Sequence, residues 1–204
     1  MDGVAFPPEP WHLSGRMLLL VWSLPADVVA DRLPRGLTPV TRRGRTLVGT
    51  AWADCQAGGV LAYREVLCAA VVRTGGRPAL CITDIWVDSP ASRDGGRALW
   101  AIPKELATFP VFDGHRFAAD LPSGPVARAC WTPGPLVPGR WPVRFDVVQG
   151  RAGRLVTSRV RSTARVVLGR ASMDAEPRGP LGHLAGRTPV RSLVLADFRL
   201  RFGG

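Results

Sequence analysis

Lysine is almost missing from this chain: of 27 basic residues, Lys104 is the single lysine and the rest are arginine. Tyrosine is as scarce, with Tyr63 alone. Cysteine is present four times, as Cys55, Cys68, Cys81 and Cys130, but no CxxC pair forms and no histidine stands at ligand spacing. A zinc ribbon or thiol-redox framework is therefore excluded, and each cysteine, set in an apolar run, reads as a buried reduced thiol. His12, His115 and His183 are isolated. No glycine-rich phosphate loop is present, so neither a metal nor an organic cofactor is signalled. The apolar run 17–22 is far too short to cross a bilayer, and the start has no basic region leading into an apolar core. The expectation is a cytoplasmic protein with no membrane partner.

The formal charge of +11 raises a nucleic-acid reading. The arginines are scattered, however, with no run beyond Arg42-Arg43-Gly44-Arg45, and no helix-turn-helix, zinc-finger or RNA-recognition signature accompanies them. The use of arginine for lysine reads as a chain-wide coding bias, and no nucleic-acid partner is expected.

A length of 204 residues suits one domain spanning 1–204. After a Pro/Gly-rich lead-in over 1–15, an apolar run (16–23) precedes a short helical segment, 25–33. Three strand-like runs follow, 45–54, 61–73 and 78–88, joined by "QAGG" and "TGGR" hairpin connectors. Asp88 or Ser89 can cap a helix with Pro90 in its first turn, ending near Trp100 or Ile102 because Pro103 disfavours helical geometry before it. Short strands return at 109–120, 125–131, 141–149, 154–168 and 190–202, with 171–190 loop-like. The class is β-rich α+β, two sheets or a barrel with few helices.

A guanidinium stays protonated, whereas an ammonium can lose its proton where its surroundings disfavour charge. A chain that drifts to arginine thus keeps lysine where a free amine is needed, although one exposed survivor would look the same. Trp100, Ile102, Leu106 and Phe109 surround Lys104 with apolar side chains able to desolvate it. In "LAYREV", strand alternation puts Tyr63 and Glu65 on one face with Leu61, Leu67 and Ala69. A carboxylate on an apolar face reads either as an ion-paired structural group or as a general acid/base, with Tyr63 donating a hydrogen bond. Arg97, seven residues before Lys104, shares its helical face and is a candidate for a substrate carboxylate, with Arg16 a second.

These segments resemble the acetoacetate decarboxylase family. "GGRALWAIPKELATFPVF" is similar to that family's segment in which a Gly-Arg-Glu helix leads to Pro-Lys-Lys-Leu. "LAYREV" resembles its Tyr-x-Glu strand, and "PPEPWHLSGRMLLLVW" and "VRSLVLADFRLRF" resemble its first and last core strands. The resemblance covers most of the chain and implies a barrel or sandwich of antiparallel sheets, a homo-oligomer, and a Schiff base between Lys104 and a keto acid. It implies Glu65 and Tyr63 as active-site partners, with no cofactor. Three positions depart from the pattern: Glu105 replaces a second lysine, Ala98 a glutamate, and Thr50 another active-site glutamate. Trp100 and Glu105 join Arg97 and Arg16 as candidate substrate contacts.

The expected activity is a Schiff-base lyase acting on a keto acid or related carbonyl compound, by decarboxylation or aldol–dehydration chemistry. Its rivals are a cyclase or dehydratase of a polyketide-like product with Glu65 as acid/base, and a non-catalytic small-molecule binder.

Overall fold

Trp11 to Pro25 form one long strand, β1 (Trp11–Pro25), with Trp11, Leu18, Leu20, Trp22 and Leu24 almost wholly buried. The structure, a computed structural model, describes residues 5–204. A short helix α1 (Ala26–Ala30) follows, then β2 (Thr38–Pro39) and β3 (Thr41–Arg42). The meander consists of β4 (Arg45–Cys55), β5 (Tyr63–Thr74) and β6 (Arg77–Val87). Helix α2 (Pro90–Trp100) leads into β7 (Lys104–Leu106). The remaining strands are β8 (Thr108–Phe112), β9 (Arg116–Leu121), β10 (Gly124–Arg151), β11 (Arg154–Ala175) and β12 (Arg191–Phe202).

These strands form one twelve-stranded sheet rather than two, ordered β7-β6-β5-β4-β1-β12-β11-β10-β9-β8, with β2 on β5 and β3 on β4. Most pairings are antiparallel; β7 joins β6 in parallel. A second parallel contact, Val147 opposite Leu80, brings β10 back to β6 and closes a ring through β5, β4, β1, β12 and β11. Outside this ring, β7 and β8 remain as the two ends of the strand order.

Several boundaries differ from the sequence expectation, among them the run 109–120, which is split into β8 and β9. The lead-in ends at Pro10, because Trp11–Gly15 already pair with β12. The helical segment expected over 25–33 is confined to Ala26–Ala30, with Pro25 at the end of β1. The runs 125–131 and 141–149 belong to one strand, β10, since register shifts at Pro133/Leu136 and Val137/Trp141 absorb the intervening prolines. Bulges are where a sheet tolerates a residue that cannot donate to the ladder. Finally, 171–175 is strand rather than loop, with Met173 and Ala175 buried in the core.

Apolar clusters cover both faces of β5. Val66, Cys68, Ala70 and Val72 pack with Leu18, Trp22, Trp52 and Trp131. Tyr63 and Ala69 point the other way, towards Trp11, Ile85, Val87, Trp100, Ile102 and Phe198. Glu65 shares the parity of Tyr63 and is buried in that second face.

Candidate active site

Local chain chemistry delivers Lys104 to this face. Ser89 caps α2 by accepting a hydrogen bond from the Ser92 N–H at 3.2 Å, and Pro90 opens the first turn. At the far end the Ile102 and Ala101 N–H groups bond back to the Gly96 and Arg97 carbonyls, both at 3.1 Å, with Ala101 left-handed at φ 57°. The Ala101 bond is the 5→1 closure of an αL cap. Pro103 then stands at the centre of a tight turn closed by the Lys104 N–H donating to the Ile102 carbonyl at 2.8 Å, and Lys104 enters β7 opposite Ile85.

The amine is enclosed. Lys104 is 4% exposed, Glu65 7% and Ser92 0%. Lys104 Nζ lies 2.9 Å from Ser92 Oγ, 3.2 Å from Glu65 Oε2 and 3.4 Å from Tyr63 Oη. An ammonium has three N–H donors, and these three oxygens accept one each. The Tyr63 ring centroid is 4.7 Å from Nζ and that of Trp11 6.0 Å. Helix α2 approaches closely because its facing residues are small: a Cβ built on Gly96 would meet Lys104 Cδ at 2.8 Å, and one on Gly95 would meet Trp11 Cζ2 at 2.5 Å.

Burial, followed by the charge of Glu65 and the neighbouring Cys55, holds the Tyr63 phenol's proton well above its ordinary range. Ser92 and Cys55 lie beside the Tyr63 hydroxyl. Burial and the Glu65 charge likewise push the Cys55 thiol up, so Cys55 sits here as a neutral, unreactive neighbour. The site thus gathers one amine, one carboxylate, two hydroxyls and a thiol on an apolar floor.

The family profile described as acetoacetate decarboxylase (ADC) matches residues 2–144, well over half of the chain. The chain belongs to the acetoacetate decarboxylase family. Solved structures share the fold at low identity. Acetoacetate decarboxylase from Legionella pneumophila subsp. pneumophila str. Philadelphia 1 is 15% identical, with a TM-score of 0.72, covering 100% of this chain and 88% of that one. The enduracididine biosynthesis enzyme MppR complexed with pyruvate is 19% identical, with a TM-score of 0.70 and coverage of 100% and 91%. An acetoacetate decarboxylase-like enzyme from Sphingomonas wittichii RW1 is 14% identical, with a TM-score of 0.65 and coverage of 100% and 92%. A search of curated protein sequences finds no match.

Within this family fold, Lys104, Glu65 and Tyr63 converge, whereas the other candidates do not reach the amine. Arg97 is on the outside of the helix–strand junction, donating from Nε to the Lys104 carbonyl at 2.6 Å and from its guanidinium to Glu105. Glu105 is exposed. Arg16 lines a separate cavity of about 230 Å³ with Trp52, Asp54 and Asp113. Trp100 packs edge-on against Trp11 at 4.9 Å and donates to Glu9 at 2.8 Å, bracing Trp11 from behind. Thr50 faces the opposite cluster and accepts from Trp22 Nε1 at 3.1 Å.

Sequence reasoning missed Ser92 and Cys55 as members of the site. A signal for Ser92 exists: Ser92, Gly95 and Gly96 stand at i, i+3 and i+4, a stripe of small residues that marks close approach on one helix face.

Proposed function

We propose that the protein is a Schiff-base-forming lyase acting on a keto acid or related carbonyl compound, with Lys104 as the nucleophile. The observation that carries this reading is a buried amine whose three hydrogen-bond positions are filled by Ser92, Glu65 and Tyr63. The names of relatives with this fold, a decarboxylase and an enzyme crystallised with pyruvate, agree with a carbonyl substrate.

Glu65 takes a proton from the Lys104 ammonium, and the freed amine attacks the carbonyl carbon. The resulting carbinolamine loses hydroxide, which leaves as water with the proton returned by Glu65. Nitrogen keeps its bond to carbon as an iminium. Electrons released by C–C cleavage or by deprotonation beside the iminium flow onto that nitrogen and form an enamine. Glu65, recharged by solvent after decarboxylation or by the abstracted proton after deprotonation, protonates the enamine carbon, and attack of water on the resulting iminium releases product and restores the amine. Ser92 holds Nζ between these steps, and the protonated Tyr63 donates to the developing oxygen. Decarboxylation and aldol–dehydration share this route up to the enamine.

Neither the cavity beside Arg16 nor the open groove beside Arg199 has Lys104 in its wall. Borohydride trapping tests the reading. The protein is incubated with acetoacetate, pyruvate or a bulkier keto acid, reduced and mapped by mass spectrometry. A mass addition on Lys104, absent in Lys104→Arg, is the expected result. An unmodified Lys104 with every compound refutes the imine.

A further inference from the structure

Strand register brings together arginines that are far apart in the sequence. Arg144 of β10 stands opposite Arg161 of β11, Arg161 opposite Arg201 of β12, and Arg201 opposite His12 of β1. In the adjacent row Arg199 stands between Thr163 and Ser14. All four arginines are exposed and line an open groove of about 610 Å³ with no acidic residue in its wall.

Like charges directly opposite each other on adjacent strands are destabilising. The flanks of the same face avoid this: Arg159 pairs with Asp146 at 3.9 Å and Arg165 with Asp197 at 3.6 Å. Among the described residues, Arg144, Arg161, Arg199 and Arg201 have no such carboxylate partner. The groove thus gathers four guanidinium groups without ion-pair partners among the described residues, and Ser14 and Thr163 add hydroxyl donors.

We propose that this groove binds a small ligand carrying two or more phosphate groups, held by Arg144, Arg161, Arg199 and Arg201. Guanidinium groups bond phosphate in a two-pronged geometry. The row crosses two interstrand spacings, about 10 Å, which exceeds the reach of one phosphate and fits a short chain of them. A long polyanion fits less well, because Asp146 and Asp197 stand at the margins. The groove is separate from the Lys104 site: His12 points outward between Trp11 and Leu13, which are buried inward. The proposal therefore does not rest on imine chemistry.

Titration calorimetry of the full chain with inorganic tripolyphosphate at low salt tests it. Wild type binds tripolyphosphate more tightly than orthophosphate, and affinity falls about tenfold or more for each guanidinium lost in Arg161→Gln and Arg161→Gln/Arg201→Gln. Arg154→Gln, at the exposed start of β11 beside the β10–β11 turn, binds as wild type does. Melting supplies a second readout with opposite signs. Without ligand, Arg161→Gln melts at or above wild type because repulsion is relieved; with tripolyphosphate it melts below. Equal binding by wild type and the double variant overturns the proposal, as does a preference for orthophosphate. Tighter binding of duplex DNA, or a wild-type oligomer dispersed by the double variant, also overturns it by assigning the groove to a macromolecule or to a second copy.

Discussion

Gly96→Ala is a direct probe of how the amine is held. The added Cβ would lie 2.8 Å from Lys104 Cδ, 3.0 Å from Cε and 3.3 Å from Cγ, where ordinary contact begins at 3.4 Å. The stem must therefore retreat by about 0.6 Å, the difference between 3.4 and 2.8 Å. It cannot simply swing aside, since its Cα is fixed in β7 and its Nζ is tied to Ser92, Glu65 and Tyr63. Alanine gains about 1 kcal/mol of helix propensity over glycine, while overpacking costs about 1–3 kcal/mol. Net destabilisation is therefore about 0–2 kcal/mol, a fall in Tm of up to about 8 °C for a chain of this size. The reaction is more sensitive, because a displacement approaching 1 Å at a reacting group can cost about 100-fold in rate. The assay is the initial rate of borohydride-trapped label on Lys104, read beside a melting curve. Gly49→Ala is the control, since its Cβ would meet only Leu19 Cδ1 at 3.6 Å. A folded Gly96→Ala protein that labels at the wild-type rate refutes the reasoning.

Three further outcomes follow from the same structure. Lys104→Met leaves the Glu65 carboxylate buried without its partner and costs about 3–5 kcal/mol in urea unfolding; adding Glu65→Gln recovers part of that, with a coupling of about 1–3 kcal/mol, and strict additivity would argue against the pair. Thiol titration of the native protein modifies exposed Cys130 quickly and the other three cysteines only after denaturation, because burial pushes the Cys68 and Cys81 thiols up to about 12 and Cys55 up as well; two fast thiols would contradict the packing. Burial, then the charge of Arg32, lowers the pKa of His183, so the unfolded chain takes up its proton first. Stability is then full above pH of about 6.5 and falls as pH drops below it. His183→Gln should flatten that slope in pH-dependent urea unfolding, and an unchanged slope would exclude His183 as its source.

The meander and α2 were legible because their signals are local: glycine-bearing connectors, a serine–proline start and a proline stop. Tyr63 and Glu65 could be put on one face by alternation alone, and the lone lysine drew attention by its rarity. Their convergence is a matter of geometry, while their roles rest on the trapping experiment. What stayed illegible depends on pairing between distant strands. The single continuous β10 was hidden by Pro133, Pro135 and Pro138, which read as breaks but sit at register shifts. The arginine row could not be read at all, since Arg144, Arg161 and Arg201 become neighbours only through the β10–β11–β12 register. The assumption that Arg97 shares a face with Lys104 failed for a related reason. Helical periodicity stops at Ala101, and Lys104 belongs to a strand whose direction is set by the left-handed cap at Ala101 and the turn at Pro103.

The same change of periodicity alters the meaning of Glu105. Read as a neighbour in sequence, a carboxylate directly after Lys104 looks like a charge that holds the ammonium protonated and opposes attack on a carbonyl. In a strand, successive side chains leave on opposite faces. Lys104 therefore points into the cluster of Ser92, Tyr63, Glu65 and Trp11, while Glu105 points outward, with a side chain 62% exposed and paired with Arg97. Solvent-exposed pairs of this kind contribute about 0–1 kcal/mol and are screened by salt, so Glu105 acts only weakly on the enclosed amine. The carboxylate that governs Lys104 is Glu65, on a different strand and inside the same pocket. Glu105 in place of a second lysine thus alters the outer face of β7 and leaves the inner chemistry to Glu65, Tyr63 and Ser92.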